Sequence, residues 1–150
     1  MANFLAWSHS RLKLFLDCPK QTWHAAVAPK GHPDKIEFFQ SKAMLDGNEV
    51  DDALTSRIGK GVALPAKFAQ WEGVCAGIIA APGQKFTQLK VALDQAFKPC
   101  GYMDFGTTWV RAVYDLAIIN GGHAFIWDWK SGALWPDDAQ LRLFAATAFH

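Results

Sequence analysis

The stretch from Trp109 to Lys130 constrains the fold of this chain more than any other. Trp109 to Ile119 is apolar and rich in β-formers, with Arg111 and Asp115 as its charged exceptions. Asn120-Gly121-Gly122 follows, and Asn-Gly is a strong hairpin signal because both residues tolerate the positive φ of a tight turn. Ala124 to Lys130 then reads as the returning strand, left at Ser131-Gly132. A further strand is expected upstream, where Phe86, Gln88, Lys90 and Ala92 alternate with Thr87, Leu89, Val91 and Leu93.

The first half reads as helical. Ser8 or Ser10 can cap a helix with Leu12, Phe15 and Leu16 at helical spacing, bent or ended at Cys18-Pro19. A second helix is expected from about Ser41 to Ile58, with Gly59 and Gly61 beyond its end. A third fits Pro65 to about Ile79. Pro136-Asp137-Asp138 opens a last helix that shows no stop signal by His150. The chain is therefore expected to continue beyond that point, or to rely on another segment, a partner chain or a second copy to cover this helix. Helices, then three strands, then a helix predict an α+β or mixed α/β fold.

At 150 residues the chain suits a single domain spanning 1–150. Its 51% hydrophobic and 19% charged content excludes a disordered chain. Fifteen basic against fourteen acidic residues leave +1, so bulk charge predicts no nucleic-acid partner, and any such partner must be met by a local basic surface. Cys18, Cys75 and Cys100 form no C-x-x-C pair, which supports neither a zinc site nor a redox motif, and free thiols in a reducing cytosol are expected. The N-terminal residues lack the pattern of a signal peptide, and Val74–Ala81 falls far short of the ~20 apolar residues of a membrane span. A cytoplasmic protein without a membrane partner is expected.

There is no G-x-S-x-G elbow, P-loop or H-E-x-x-H, and the five histidines are scattered, with no pair at metal-ligand spacing on one helix. Two acids stand out instead. Asp115 interrupts an apolar strand, and Asp128 closes Phe125-Ile126-Trp127-Asp128-Trp129-Lys130. A carboxylate in a buried strand is costly unless paired or bound to a cation. Alternation puts Asp128 and Lys130 on one face and Trp129 on the other, and pairing across the turn brings Asp115 beside Asp128. An acid-x-Lys tripeptide is expected about once by chance in this composition, so its strand context carries the argument. The plain alternative is a buried Asp–Lys ion pair at a strand end.

Five segments, in order, resemble the PD-(D/E)XK nuclease superfamily in its RecB-like, phage-type exonuclease branch. Ser8-His9-Ser10-Arg11-Leu12 with Phe15 and Cys18-Pro19 resembles the opening S-x-S-x-L…CP signature. Gly47-Asn48-Glu49-Val50-Asp51 resembles the G-x-x-x-H helix motif, and Asp115 matches the motif II aspartate. Asp128-Trp129-Lys130-Ser131-Gly132 resembles D-x-K-T-G, and Gln140-Leu141-Arg142-Leu143-Phe144 resembles Q-x-x-x-Y. The resemblance implies a restriction-endonuclease-like core, a mixed central sheet flanked by helices, and a DNA nuclease, more an exonuclease than a sequence-specific endonuclease, acting on duplex ends or single strands in a bacterial or phage-infected cell.

It further implies Mg²⁺ or Mn²⁺ held by Asp115, Asp128 and the backbone carbonyl of Trp129, all hard oxygen donors. Lys130 would orient or help deprotonate a metal-activated water, or stabilise the charge developing on phosphate. Gln140 and the Ser131 hydroxyl would help hold substrate. Arg142 is either a phosphate contact or a solvent-facing helix residue.

The departures from the family pattern are specific. Asp51 stands where the motif has histidine, and is either a metal ligand or a solvent-facing neighbour of Asp52. Gln88 stands where members often carry glutamate, Ala112 replaces a glycine, and Phe144 replaces tyrosine. No cysteine triplet follows Gln140, so no iron–sulfur cluster is expected. Among the tryptophans, Trp129 and Trp135 flank the implied site and are either base-stacking groups or core. The competing function is a catalytically inactive member that binds nucleic acid or a protein.

Overall fold

The computed structural model describes residues 6–37, 39–104, 106–130 and 138–148. Its element order is α1 (His9–Asp17), α2 (Pro19–Thr22), a π-helical turn (Trp23–Val27), α3 (Lys42–Lys60), a 3₁₀ segment (Ala66–Trp71), α4 (Glu72–Ala80), β1 (Gln84–Leu93), β2 (Val110–Asn120), β3 (His123–Trp127) and α5 (Ala139–Ala148). The fold is α+β, with one three-stranded sheet in the order β1-β2-β3. No described helix is long and apolar enough to cross a membrane. The chain forms two compact units: Met1–Phe39, Lys90–Ala112 and Asp137–His150 in one, Gln40–Leu89 and Val113–Pro136 in the other.

In the first unit, α1 starts after Ser8 and stops at Cys18, as Cys18-Pro19 requires. Pro19 then opens α2, where the Cys18 thiol accepts the Gln21 N–H at 3.4 Å. Trp7 bridges to Val110, its N–H donating to the Trp109 carbonyl at 2.7 Å and its carbonyl accepting from the Arg111 N–H at 2.8 Å. An apolar cavity of about 310 Å³ lies between Trp7, Leu93, Phe97, Trp109 and Leu143. On α5, Phe144 and Thr147 are buried while Leu141 stays exposed.

In the second unit, Ser41 caps α3 through its hydroxyl, which accepts the Met44 N–H at 3.3 Å. The helix runs past the expected Ile58 to Lys60 and ends on Gly61 at φ +70. Gly59 thus lies within it, where a Cβ would sit 3.0 Å from the Thr87 hydroxyl. The expected single helix after Pro65 is a 3₁₀ segment that becomes α4 at Glu72, and Arg57 joins the two helices by gripping the Glu72 carboxylate at 2.5–3.1 Å.

The hairpin is formed. β2 and β3 are antiparallel with Leu116 opposite Trp127 and Asn120 opposite His123. Gly121 has φ +59 and Gly122 does not have positive φ, the sign pattern of a type II′ turn. Leu116 and Ile118 pack with Ile78, Ile58, Trp127 and Trp129 into an apolar cluster, and Leu116 is fully buried. Gly83 sits against this hairpin at φ +112, where a Cβ would come within 2.7 Å of the Ile119 carbonyl oxygen.

Two expectations about strands are corrected. The returning strand ends at Trp127 rather than Lys130, because the next available amide, Trp129 N–H, donates to the Asp115 carboxylate instead of a backbone carbonyl. The alternation expected through β1 is interrupted at Gln88, which takes φ +52. A non-glycine residue with positive φ is uncommon inside a strand and turns the side-chain sequence out of phase, as a bulge does.

Candidate functional site

The site is built within the second unit. On α3, Leu54 is fully buried and fixes the helix face. One turn earlier, Asp51 is half-buried while Asp52 is exposed, so Asp51 is not simply a solvent-facing partner of Asp52. Its two oxygens accept the Gln88 side-chain amide at 2.8 and 3.0 Å. Gln88 therefore acts as a donor toward Asp51, and its left-handed backbone conformation accompanies that contact. Such conformations cost of order 1–3 kcal/mol and cluster at functional sites.

The hairpin supplies the other groups. Leu116 opposite Trp127 is the last pair of the antiparallel register, so Asp115 and Asp128 each lie one residue beyond it. Trp129 N–H donates to Asp115 Oδ2 at 2.7 Å. Trp127 and Trp129 pack on the apolar cluster, which leaves Asp128 and Lys130 for the opposite face. These two form an ion pair, with the Asp128 side chain 13% exposed and that of Lys130 50% exposed.

The electrostatics tie these residues together. Burial pushes the Asp115 carboxyl up to about 6, and the nearby charges of Asp51 and Asp128 push the same way. The Trp129 N–H and the Lys130 ammonium oppose that rise without cancelling it. Asp51 is also raised, by burial first and Asp52 second, with Asp128 adding to it, while Thr55 and Gln88 act against the rise. Three half-buried carboxylates thus disfavour one another's charge, with the Lys130 ammonium paired to Asp128.

A hard divalent cation fits this set: the donors are carboxylate oxygens, the charge excess is negative, and the repulsion is what a cation removes. The oxygens of Asp51, Asp115 and Asp128 are not gathered within 4.8 Å of one another, the spacing that His24, His32 and Asp34 do meet among the described residues. Loading a cation would have to draw the carboxylates together and turn Asp51 partly away from Gln88.

Of the residues expected at the site, Asp51, Asp115, Asp128, Trp129 and Lys130 come together in one unit, joined by Gln88. Trp129 engages through its N–H, and its indole packs with the core. Ser131 and Trp135 lie outside the described residues. Gln140 and Arg142 are on α5 in the first unit, Gln140 half-buried. Arg142 is exposed and paired with Asp138 at 2.5 and 2.9 Å. All three cysteines are free thiols.

The histidine reading misses one grouping. His24, His32 and Asp34 converge although no helical spacing links them, because the π-helical turn and the loop after it bring them together. The Pro29-Lys30-Gly31 turn between the histidines was the available sequence signal. No family model, curated protein or solved structure matches the chain.

Proposed function

We propose that this chain is a metal-dependent DNA nuclease with a PD-(D/E)XK-type site, more an exonuclease than an endonuclease. The observation that carries the reading is the electrostatic coupling of Asp51, Asp115 and Asp128 beside the Lys130 ammonium. Half-buried carboxylates that raise one another's pKa in one place are a feature of sites that take a cation or a substrate.

Asp115 and Asp128 would hold Mg²⁺ or Mn²⁺, with Asp51 and the Trp129 carbonyl as further oxygen donors. When bound, the ion supplies polarisation of a water and neutralisation of charge on the scissile phosphate. The chain's own residues do the rest. Trp129 N–H fixes one oxygen of Asp115 and so orients the other. Asp128 holds the Lys130 ammonium in place, from where Lys130 stabilises the negative charge that builds as water attacks phosphorus and one ester P–O bond breaks. Gln88 holds Asp51 in a fixed rotamer.

The test is degradation of end-labelled linear duplex and single-stranded DNA in Mg²⁺ and in Mn²⁺, with closed circular DNA and Lys130→Ala as controls. Loss from the ends, with circles spared and Lys130→Ala inactive, is the expected result. Circles cut as well would reassign the same site to an endonuclease. A second reading, an inactive nucleic-acid- or protein-binding module, is favoured by Gln88 occupying both oxygens of Asp51. It is the outcome if DNA is cut under neither metal.

A further inference from the structure

We infer that His24, His32 and Asp34 form a second metal site, for a borderline divalent cation of the Zn²⁺ class, separate from the carboxylate site and independent of the nuclease reading. One potential ligand atom from each lies within 4.8 Å of the other two. Two imidazoles and a carboxylate are a donor set for Zn²⁺, Co²⁺ or Ni²⁺ rather than Mg²⁺, which takes oxygen ligands. Tetrahedral Zn²⁺ with bonds of about 2.0–2.1 Å needs ligand atoms roughly 3.3 Å apart, a contraction that loop side chains can make.

Two further observations point to a ligand. His24 Nδ1 is buried with no hydrogen-bond partner, and buried polar atoms of this kind are normally satisfied. His24 also lies on the π-helical turn Trp23–Val27, a rare conformation that recurs at functional sites. The surrounding contacts build a frame for the two rings. Both histidines meet the Trp23 indole edge-on, at 5.0 and 5.2 Å between centroids, and their own centroids are 6.1 Å apart. The Ile36 N–H reaches the His24 carbonyl, Lys35 N–H reaches the His32 carbonyl, and the Lys35 ammonium is turned to the Ala28 carbonyl at 2.9 Å.

Loading has one specific local cost. His32 Nδ1 accepts the Asp34 N–H at 3.1 Å. A neutral imidazole has a single free lone pair. Whether the metal takes Nδ1 directly, or takes Nε2 and leaves the proton on Nδ1, the Asp34 N–H is released. The site thus exchanges a backbone hydrogen bond for a bond through the Asp34 carboxylate, and ties the 28–36 loop to the π-helical turn.

The experiment uses the full chain carrying Asp115→Asn and Asp128→Asn, so that the carboxylate site is silent, alongside the unmodified chain. Zn²⁺ is titrated by calorimetry, and Co²⁺ by NMR of the histidine ring protons and the Asp34 amide. The expected result is one equivalent bound by the double variant, with His24, His32 and the Asp34 amide shifting together in both chains. His32→Gln and Asp34→Asn should each weaken binding at least tenfold. Ring protons of both histidines unmoved by a saturating excess of Co²⁺ would overturn the site, and this readout needs no variant. So would His32→Gln binding Zn²⁺ as tightly as the unmodified chain.

Discussion

The Trp129 N–H donates to Asp115 Oδ2 at 2.7 Å, so a side chain of β2 takes the amide that would otherwise extend β3. This bond lies just beyond Leu116 opposite Trp127, the last pair of the ladder, and Asp115 and Asp128 flank that pair. Asp115→Asn keeps an acceptor for the Trp129 amide and removes a charge that burial, Asp51 and Asp128 all disfavour. The expected outcome at pH 7.5 is a metal-free protein that melts higher than the original, yet has lost at least 100-fold of its DNA cleavage. Thermal melts and cleavage assays on the same preparation check both halves. A lower melting temperature would show that the Asp115 charge is compensated within the fold.

Stability of the metal-free protein should fall as pH rises. The Asp115 carboxyl has an ordinary value of 3.8 and is raised to about 6 in the fold, so the folded state holds its proton more tightly than the unfolded state. Its contribution is therefore complete below pH about 4, is lost as pH rises through about 6, and is flat above that. Allowing for solvent screening of a half-exposed group, the loss is on the order of 1–2 kcal/mol. Urea titrations from pH 4 to 8 measure it, and the same series on Asp115→Asn should lack this step.

Mn²⁺ should raise the melting temperature, since a ligand that binds only the folded state stabilises it by about 2.7 kcal/mol at a hundred times its Kd. The gain should vanish in Asp128→Ala. It should also be larger at pH 7.5 than at pH 5.5, where protons compete for Asp115. An equal Mn²⁺ gain in Asp128→Ala would place the ion elsewhere.

Gln88→Glu replaces the two amide contacts to Asp51 with a fourth carboxylate. The metal-free variant is expected to lose about 1–3 kcal/mol, from broken hydrogen bonds and added repulsion. Saturating Mn²⁺ should recover more stability in this variant than in the original chain, because the added oxygen is a better cation ligand than an amide. Scanning fluorimetry with and without Mn²⁺ reads both effects. Loss without recovery would mean that Gln88 serves only to hold Asp51.

Much of this arrangement was legible in the residues because local chemistry and tertiary structure agree there. Ser41 caps α3 and Gly61 ends it, α1 stops at Cys18-Pro19, and the Asn120-Gly121-Gly122 turn forms the hairpin. Alternation set Trp129 apart from Asp128 and Lys130, and Trp129 packs with the core. The strand end at Trp127 was not legible, because a carboxylate from another strand decides it. Nor was φ +52 at Gln88, since a glutamine carries no propensity for it and the partner on Asp51 lies far off in sequence. The meeting of His24 with His32 and Asp34 depends on a π-helical turn that breaks the spacing a helix would give.

The hairpin has arms of equal length between the turn and the aspartates: Leu116 to Asn120 on one side, His123 to Trp127 on the other. Side chains alternate at every residue, so deleting or inserting one residue in a single arm would carry Asp115 or Asp128 to the tryptophan face. A change within Gly121-Gly122 leaves the arms, and therefore the aspartates, where they are. The turn tip is thus the place in this hairpin where added length is tolerated, while each arm is fixed in its residue count by what lies at its far end.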